Sequence, residues 1–572
     1  MNTTVSVVNP NMAAITINGN DFELDDNEQL NVIEAAERFG IEIPYYCWHP
    51  GLSVVASCRM CLVEIGQKND EGVVRMVPRL MPACQTPARD QTVVVTNSDK
   101  VVENRKAVEE YLLLDHPVDC PICDRAGECS LQDYYYEHGR DERRDLPQPF
   151  TSRRKDLGPE VTFFADRCVM CSRCVRFTRE VSGTAELQVV DRGNKSEIDI
   201  FPGHPIDNKL SGNVVDLCPV GALCSRDFLY KQRVWFLNGH DSVCPGCATG
   251  CNIRIDEHRN TIYRLKPRHN PNVNDWWICD EGRLGYQYVA SSNRLTTPRQ
   301  RTNGNLCDSE WSNVMQALKH DLNQMIARYG GQALACILSP MLTCEEAYLL
   351  TKYVKSLAQD VTLALGKVPV VGEDDVYPKT ADSVDAPKFI IRAEKCPNRR
   401  GVEAIIRHWD PEVLDFATVH SQIVSGAFRA VILTGGYPQP WLHSEEIAMF
   451  SKLDLVILVD ILKSEATGKV DYLLPGAAWA EKPGSYLNHA ELLQITKRAV
   501  RPPGDAHTEG RIFWELAGRQ RLYNAGDVLD ELAEEVPFFA PCGNGKVGAR
   551  GVMLGTERNA VSGKNQVLDP RC

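Results

Sequence analysis

Cysteine placement is the feature that most constrains this chain, because sixteen of its 22 cysteines crowd between Cys47 and Cys279. They fall into four groups, and every group contains the step Cys-x-x-Cys. The other six cysteines lie singly beyond Cys279. A chain gathers thiolates in this way when it wraps metal clusters, and four such sites in a row indicate a path for electrons.

Charge and composition narrow the class of protein. With 63 basic and 76 acidic residues the net charge is −13, which argues against a nucleic-acid surface and favours a soluble protein with protein partners. The cysteine content is below the roughly 8–10% of disulfide scaffolds. Residues 1–5 are not expected to begin a signal or transit segment, and no apolar run of about 18 residues occurs. We therefore expect a reducing compartment, where thiolates bind metals.

The first cysteine group lies in a small mixed α/β segment, residues 13–96. Residues 15–19, followed by Phe22 and Leu24, alternate around an Asn-Gly turn, which predicts a hairpin. Leu30, Ile33 and Ala36 repeat at helical spacing before Gly40, which predicts a short helix. Three further strands are expected, at residues 62–65, 73–77 and 93–95.

Four thiolates of this segment have a spacing that suits a [2Fe–2S] cluster: Cys47, Cys58, Cys61 and Cys84. The small residues Ala56 and Ser57 would let backbone N–H groups approach the sulfides. A four-cysteine zinc site is the alternative, although the gap between the first two cysteines is long for a zinc ribbon.

The second group has only three cysteines, so a [4Fe–4S] cubane there needs another ligand: Cys120, Cys123 and Cys129. His116 is the nearest candidate. A lone histidine is more often a surface or core residue, but its place just before a three-thiolate loop favours a ligand. A neutral imidazole in place of a thiolate should raise the cluster's potential. A helix is expected before it, at residues 101–114, with the following residues mostly on one side: Val108, Tyr111, Leu112 and Leu114.

The third group is Cys168, Cys171 and Cys174, with Cys218-Pro219 much later, as in half of a bacterial ferredoxin motif. The last cysteine of such motifs can bind a different cluster, so spacing alone leaves Cys218 open between the second and third groups. Assigning it to the third leaves His116 for the second. Cys224 is then surplus, and a buried small apolar side chain is its favoured interpretation.

The fourth group again has a tight triplet and a distant last member, which suits another [4Fe–4S] cubane: Cys244, Cys247, Cys251 and Cys279. Trp276 and Trp277 come just before the last cysteine. They either shield it from water or belong to the core.

The order and spacing of these motifs resemble the family of large iron–sulfur subunits of respiratory NADH:quinone oxidoreductase (complex I), the 75-kDa-type subunits. The resemblance is dense over residues 13–290 and weaker afterwards. Five segments carry it most specifically: IPYYCWHP at 43–50, CRMCLVE at 58–64, HPVDCPIC at 116–123, DRCVMCSRC at 166–174 and DLCPVGAL at 216–223.

The resemblance implies four ligand sets. They are Cys47, Cys58, Cys61 and Cys84 for [2Fe–2S]; His116, Cys120, Cys123 and Cys129; Cys168, Cys171, Cys174 and Cys218; and Cys244, Cys247, Cys251 and Cys279, the last three sets for [4Fe–4S]. Only this resemblance places Cys218 in the third set. In such proteins the fourth cluster lies off the main route, and electrons pass from a flavin subunit that binds NADH through the other three. They leave toward an eight-iron ferredoxin-like subunit and quinone.

The C-terminal half is similar to molybdopterin oxidoreductases. Residues 430–436 and 455–460 are predicted as parallel strands, with part of a helix at 447–452, in an α/β domain. A glycine turn such as Gly435-Gly436 cradles a pyrophosphate in cofactor-binding relatives, but a plain strand-to-helix turn is commoner. About 290 residues after Cys279 are too few to enclose a molybdenum centre, so no molybdopterin is expected. Four later cysteines are interpreted as buried structural thiols: Cys307, Cys336, Cys344 and Cys396.

The expected fold is multidomain α+β and α/β. Its predicted parts are a β-grasp [2Fe–2S] ferredoxin domain at 13–96, a His/Cys-ligated [4Fe–4S] domain at 97–150, a [4Fe–4S] ferredoxin-like domain at 151–235, a [4Fe–4S] molybdopterin-oxidoreductase-type domain at 236–295, a truncated molybdopterin-oxidoreductase-like α/β domain at 296–542 and a flexible tail at 543–572.

The predicted function is electron transfer within a complex I-type NADH:quinone oxidoreductase. The chain is expected to lack NADH and quinone sites of its own and to contact other peripheral-arm subunits. It is expected on the cytoplasmic face of the bacterial inner membrane, touching the membrane only through the complex and binding no nucleic acid. The alternatives are a subunit of NAD-linked formate dehydrogenase, a subunit of an NAD-reducing hydrogenase, or a zinc scaffold.

Overall fold

Residues 12–25, 28–142, 144, 154–380 and 386–555 are described by the computed structural model of the chain. They divide into two units. The first runs to Phe236 and takes in Tyr377–Lys388, and the second comprises Leu237–Val376 and continues from Phe389. No helix in the described ranges is long and apolar enough to cross a membrane. Of the flexible tail predicted at 543–572, residues 556–572 lie outside those ranges, and the prediction is wrong for residues 552–553, which form a strand paired with residues 492–493.

The first unit begins with the predicted hairpin. Strands β1 (Met12–Ile17) and β2 (Asn20–Asp25) pair across Asn18-Gly19, whose φ angles of 51° and 83° match a tight type I′ turn. Helix α1 (Val32–Arg38) follows, and Asn31 caps its first turn together with Glu34. Both predictions are confirmed.

Four more strands complete this sheet: β3 (Leu62–Lys68), β4 (Val74–Met76), β5 (Met81–Pro82) and β6 (Thr92–Val95). The order is β2-β1-β6-β3-β4, with β5 beside β3. Strands β1 and β6 run parallel, with Thr16 opposite Val93. Apolar residues of β1, β3 and α1 form one core under the sheet. A mixed sheet packed on a helix in this way agrees with the predicted β-grasp domain.

The rest of the first unit is made of short elements around the second and third cysteine groups. They are α2 (Asp99–Leu113), α3 (Ser130–His138), β7 (Lys155–Asp156), β8 (Val161–Phe163), α4 (Arg173–Glu180), β9 (Leu187–Val190), β10 (Glu197–Ile200), α5 (Asn213–Leu217) and β11 (Leu223–Ser225). Strands β11, β8 and β7 form one small sheet, and β9 and β10 form another.

The helix predicted at residues 101–114 is confirmed as α2, but the side that carries its apolar residues is not its buried side. Tyr111 is 71% exposed, and the buried residues of the helix are Val101, Arg105 and Glu109. This face is buried although two of its residues are charged. It packs toward buried side chains beside the first two cysteine groups, and one of these side chains is Tyr46. A hydrophobicity pattern cannot reveal such a face.

The second unit opens with an antiparallel sheet of β12 (Asn238–Val243), β13 (Asn252–His258) and β14 (Thr261–Pro267), followed by α6 (Asp280–Leu284). These elements carry the fourth cysteine group. The remaining sequence builds a larger α/β layer.

A seven-stranded sheet forms the centre of that layer, in the order β16-β15-β23-β22-β21-β17-β18. Five of its strands are mutually parallel, so the predicted parallel α/β domain is confirmed. The strands are β15 (Arg299–Thr302), β16 (Asn305–Asp308), β17 (Leu334–Leu338), β18 (Thr362–Leu365), β21 (Ala430–Thr434), β22 (Leu455–Asp460) and β23 (Tyr472–Pro475). Two small strands also form a pair, β19 (Asp375–Tyr377) and β20 (Phe389–Ile391).

Helices cover both faces of the large sheet and bury one apolar core on each side. They are α7 (Trp311–Tyr329), α8 (Cys344–Leu357), α9 (Arg399–Trp409), α10 (Phe416–Val424), α11 (Ser444–Ile447), α12 (Glu509–Leu516) and α13 (Ala525–Glu535). The helix predicted at 447–452 is the end of α11 followed by a 3₁₀ turn, Ala448–Lys452. A last sheet contains β24 (Gly484–Leu487), β25 (Leu492–Thr496) and β26 (Val552–Met553).

Three of the four isolated cysteines are buried, as predicted: Cys336, Cys344 and Cys396. The prediction for Cys307 is wrong, because this thiol is exposed. Cys307 lies on β16, which ends the sheet and has only β15 as a neighbour. An edge strand of a short hairpin leaves most of its side chains in solvent.

Candidate metal centres

The four cysteines of the first group come together beside the N-terminal sheet. Cys47, Cys61 and Cys84 are buried, and Cys58 is partly exposed. The thiols of Cys47 and Cys58 are in hydrogen-bonding contact, and so are those of Cys61 and Cys84. The hydrogen bond with Cys61, burial and the charges of the other thiols all raise the pKa of Cys84. The four side chains therefore share one electrostatic environment.

The loops that carry the first and third groups contain residues in the left-handed backbone region. Ala56 and Arg59, with φ of 50° and 62°, flank Cys58, and Met170 and Ser172, with φ of 50° and 57°, flank Cys171. Such conformations cost about 1–3 kcal/mol in residues other than glycine and persist where a site requires them. Alternating right- and left-handed residues turn successive N–H groups inward and form concavities that bind anions and iron–sulfur clusters.

The second group is the most exposed of the four. Cys123 is buried, Cys129 is partly buried, and Cys120 is exposed. Cys129 stands at the N-cap of α3. Burial raises the pKa of Cys129 to about 11, while the N–H groups of Gln132 and Leu131 act in the opposite direction. The N–H groups at the start of α3 thus lie near the Cys129 sulfur, which makes no capping hydrogen bond.

His116 and Cys123, a cysteine of the second group, both lie near the guanidinium of Arg167. Burial lowers the pKa of His116, and the charge of Arg167 lowers it further. The neutral imidazole that this favours is the form that binds metals. Arg167 also acts on the thiol of Cys123, and it donates to Asp119 at 2.8 Å. His116 and Cys123 are therefore brought to one neighbourhood.

The third group surrounds a small cavity, and the structure places Cys218 in it. Four cysteines line this cavity: Cys168, Cys171, Cys174 and Cys218. Cys218 ends helix α5. Cys224 does not line the cavity but is buried on β11, where burial raises the pKa of its thiol to about 12. This agrees with its interpretation as a structural thiol.

The fourth group is wholly buried: Cys244, Cys247, Cys251 and Cys279. Burial, and then the charges of the other three thiols, raise the pKa of Cys251. Cys279 caps α6, and its Sγ accepts the N–H of Gly282 at 3.3 Å. Trp277 is buried two residues before Cys279, whereas Trp276 stacks on His269 with ring centroids 3.8 Å apart.

Close-packed glycines and buried arginine N–H groups fit clusters at these sites. A Cβ on Gly221 would lie 2.2 Å from Sγ of Cys123, and one on Gly282 would lie 3.0 Å from Sγ of Cys244. Hydrogen bonds to sulfur are one means by which proteins tune cluster potentials. Within the described ranges, these buried nitrogens have no hydrogen-bond partner: Nε and Nη2 of Arg105, Nη1 of Arg167, and Nε of Arg173 and of Arg176.

Each of these arginines acts electrostatically on a cysteine of the predicted sets. No three or more His, Cys, Asp or Glu side chains of the described chain are arranged to hold a metal ion together. A cluster distributes its ligands over several irons, so its thiolates surround a volume instead of meeting at one point.

Sequence reasoning missed the arginines that tie the cysteine loops to one another. Arg233 donates to the Cys123 carbonyl at 2.7 Å, Arg173 to the Leu217 carbonyl at 3.2 Å, and Arg176 to the Cys47 carbonyl. Two of these arginines lie inside or next to the third motif, and that proximity was the available signal. Their targets lie 44 or more residues away in the chain, which spacing cannot show.

The glycine turn after β21 is filled by the chain's own carboxylate. Asp460 accepts hydrogen bonds from the N–H of Gly436 at 3.0 Å and from Nε1 of Trp441 at 2.9 Å. A Cβ on Gly435 would lie 2.3 Å from the same carboxylate. The position in which such a turn would hold a pyrophosphate is therefore taken by a side chain, and the turn does not fit a molybdopterin phosphate.

Buried ion pairs occupy the neighbouring part of the second unit. Lys482 contacts Glu346 at 2.8 Å and Glu509 at 3.0 Å, and all three side chains are at most 4% exposed. Arg294 and Glu481 form a second buried pair at 2.6 Å. Charges removed from water need such partners.

Profiles of known families match five stretches of the chain. They are a 2Fe-2S iron-sulfur cluster binding domain at 11–99, the NADH-ubiquinone oxidoreductase-G iron-sulfur binding region at 105–144, the ferredoxin-like domain of NADH-quinone oxidoreductase subunit 3 at 158–224, a molybdopterin oxidoreductase Fe4S4 domain at 239–291 and a molybdopterin oxidoreductase domain at 415–519.

Individual proteins give a consistent result. The G-type subunit of NADH-quinone oxidoreductase from Rickettsia felis is 31% identical over 92% of this chain and 91% of its own length. The NADH-ubiquinone oxidoreductase 75 kDa subunit of Reclinomonas americana is 38% identical over 51% of this chain and 41% of its own. A solved NAD+-reducing [NiFe]-hydrogenase is 27% identical and covers 39% of this chain and 91% of its own, with a TM-score of 0.34.

Proposed function

The chain belongs to the family of G-type subunits of NADH-quinone oxidoreductase, the iron–sulfur electron-transfer subunits of complex I, and from this premise we propose the clusters that it holds. One [2Fe–2S] and three [4Fe–4S] clusters are assigned to the sixteen predicted ligands. The sets are Cys47, Cys58, Cys61 and Cys84; His116, Cys120, Cys123 and Cys129; Cys168, Cys171, Cys174 and Cys218; and Cys244, Cys247, Cys251 and Cys279.

The observation that carries the assignment is that each set lies within a stretch matched by an iron–sulfur profile. The thiols of the first, third and fourth sets are also mostly buried, and those of the second set are more exposed. When bound, such clusters take up and release single electrons. The chain's own residues hold them at fixed spacing, exclude water and direct N–H groups and arginine charges at sulfur. His116 contributes a neutral ligand where the other sets use only thiolates.

We further propose that the second unit serves as a scaffold without molybdopterin. The glycine turn at Gly435-Gly436 supports this, because Asp460 already accepts the N–H of Gly436 that an anionic phosphate would need. Lys482 and Arg294 support it too. Their charges are already neutralised by buried glutamates, so no anionic cofactor is needed to neutralise them.

The partners proposed are the flavin subunit that binds NADH, which would deliver electrons to the first three clusters, and the eight-iron ferredoxin-like subunit that would receive them. The proposed location is peripheral, at the cytoplasmic face of the bacterial inner membrane. A subunit of formate dehydrogenase or of a hydrogenase is not favoured, since the relatives that cover most of the chain are named as G-type subunits of NADH-quinone oxidoreductase.

Low-temperature EPR on the reduced full chain, with iron, sulfide, zinc and molybdenum analysis, tests the assignment. We expect about fourteen irons per chain, binuclear and cubane signals, and no molybdenum. Stoichiometric zinc or molybdenum would overturn it. A matched pair of variants tests the third set: Cys218→Ser should remove one cubane, about four irons, while Cys224→Ser, at another buried thiol six residues away, should keep all clusters. The reverse result would reassign the ligand.

A further inference from the structure

Helix α4 connects two of the proposed cluster sites within the first unit. It begins between Cys171 and Cys174 and ends at Glu180. Its buried residues include two arginines one turn apart, Arg173 and Arg176. Residues three apart lie on the same side of a helix, so both guanidinium groups leave α4 in one direction. That side faces the loop of the first cysteine group.

Arg176 holds both loops through one nitrogen. Its Nη2 donates to the carbonyl of Cys47 and, at 3.4 Å, to the carbonyl of Cys171. Its Nη1 donates to the carbonyl of Ser53, in the loop after Cys47. The planar guanidinium is suited to this role, because its donors have fixed directions that an ammonium group lacks.

Two further contacts hold the same loop against α4. Glu180 accepts the N–H of Ser53 at 2.8 Å and its hydroxyl at 2.5 Å. Arg173 lies over the ring of Tyr45, 5.8 Å from the centroid, and donates to the Leu217 carbonyl, next to Cys218. The loop is therefore attached to α4 at residues 45, 47 and 53, on both sides of the first ligand.

The charge of Arg176 is retained inside the protein. The residue is 8% exposed. A guanidinium nevertheless stays protonated in proteins. Glu180 binds Ser53, and no ion pair of Arg176 with a carboxylate is found in the described part of the chain. A positive charge next to a cluster favours its reduced state, which carries one more negative charge.

We propose that Arg176 is a positioning residue for electron transfer, and that it joins the loop of the [2Fe–2S] site to the loop of the third [4Fe–4S] site and raises the potentials of both. The inference rests on the proposed function, since it takes Cys47 and Cys171 as ligands of two clusters. With both clusters bound, one electron from NADH oxidation would pass from the reduced first site to the oxidised third site, with no transfer of an atom or proton. The hydrogen bonds of Nη2 to the carbonyls of Cys47 and Cys171 would hold the two ligand loops at a constant separation.

Two substitutions in the full complex separate charge from geometry. Arg176→Gln removes the charge and the fork of donors. We expect the ratio of reduced to oxidised binuclear cluster at a fixed ambient potential to fall about tenfold, a downward shift of about 59 mV for a one-electron couple. We also expect weaker magnetic coupling between the two reduced clusters in EPR relaxation measurements. Arg176→Lys keeps the positive charge but loses the planar set of N–H donors. It should therefore have the wild-type potential and the weakened magnetic coupling.

Arg179→Gln is the matched control, because Arg179 is exposed on the same helix. It should leave both readouts unchanged. Unchanged potential and coupling in Arg176→Gln with all irons present would overturn the inference. A shift of the potential in Arg179→Gln as large as that in Arg176→Gln would also overturn it. If Arg176→Gln loses its clusters, Arg176→Lys decides alone: wild-type coupling in that variant refutes the bridging role. Absence of a binuclear signal in the wild-type chain would instead refute the proposed function.

Discussion

Glu109 makes the stability of the first unit depend on pH in a range where most carboxylates do not titrate. The side chain is fully buried on α2, and Tyr46 donates its hydroxyl to Oε1 at 2.6 Å. Burial raises the pKa of Glu109 to about 7, although the hydrogen bond from Tyr46 acts in the opposite direction. In the unfolded chain the pKa of a glutamate is near 4.3.

The direction of the pH effect follows from these two values. Between about pH 4.3 and pH 7 the folded chain binds a proton that the unfolded chain has released, so the free energy of unfolding falls as pH rises through this range. At 1.36 kcal/mol for each pKa unit, the full loss above pH 7 is about 4 kcal/mol. Between pH 6 and pH 8 alone the loss is about 1–2 kcal/mol.

Glu109→Gln removes the titration and keeps an oxygen that accepts from Tyr46. We expect the variant to lose the pH dependence between pH 6 and pH 8 and to be more stable than the wild type at pH 8. Hydrogen exchange of the α2 amides measures this, because comparing variant and wild type at the same pH cancels the intrinsic exchange rate. Glu110→Gln is the control, since Arg144 lowers the pKa of Glu110 to about 2 and leaves it ionised throughout. The same slope in Glu109→Gln as in the wild type would refute the reasoning.

Three other predictions follow from the sites. His116→Cys should keep a cubane with a lower potential, because a thiolate adds negative charge, and an EPR redox titration with an unchanged potential would exclude His116 as a ligand. Gly221→Ala should remove the second cubane, about four irons by iron analysis, since its Cβ would lie 2.2 Å from Sγ of Cys123; full iron content would contradict this. Lys482→Met should destabilise the second unit by about 3–5 kcal/mol, because it leaves two buried glutamates uncompensated. Denaturant unfolding measures this against Lys497→Met, an exposed control, and equal midpoints would show that the buried pairs contribute nothing.

Features set by neighbouring residues could be predicted from the sequence. The Asn18-Gly19 turn fixes its hairpin because both residues adopt positive φ at low cost, and the Cys-x-x-Cys steps place thiolates on single loops. The strands at 430–434 and 455–460 were recognisable because both faces of a parallel sheet are covered, which requires continuous apolar runs.

Features set by distant residues could not be predicted in this way. The charged inner face of α2 exists because Tyr46, 63 residues away, meets Glu109. The exposure of Cys307 depends on which strand ends the sheet. The link made by Arg176 spans 129 residues of sequence. In each case the partner is chosen by the tertiary fold, and local periodicity contains no information about it.

The carboxylate of Asp460 inside the glycine turn has a consequence for how this chain matures. A diffusible cofactor must be synthesised, delivered and bound before a turn shaped around it is stable, and the stability gained depends on its concentration. Asp460 is attached to the strand beside the turn and is always present at a high effective concentration. Under the proposed absence of molybdopterin, the α/β layer of this protein would close without waiting for a cofactor.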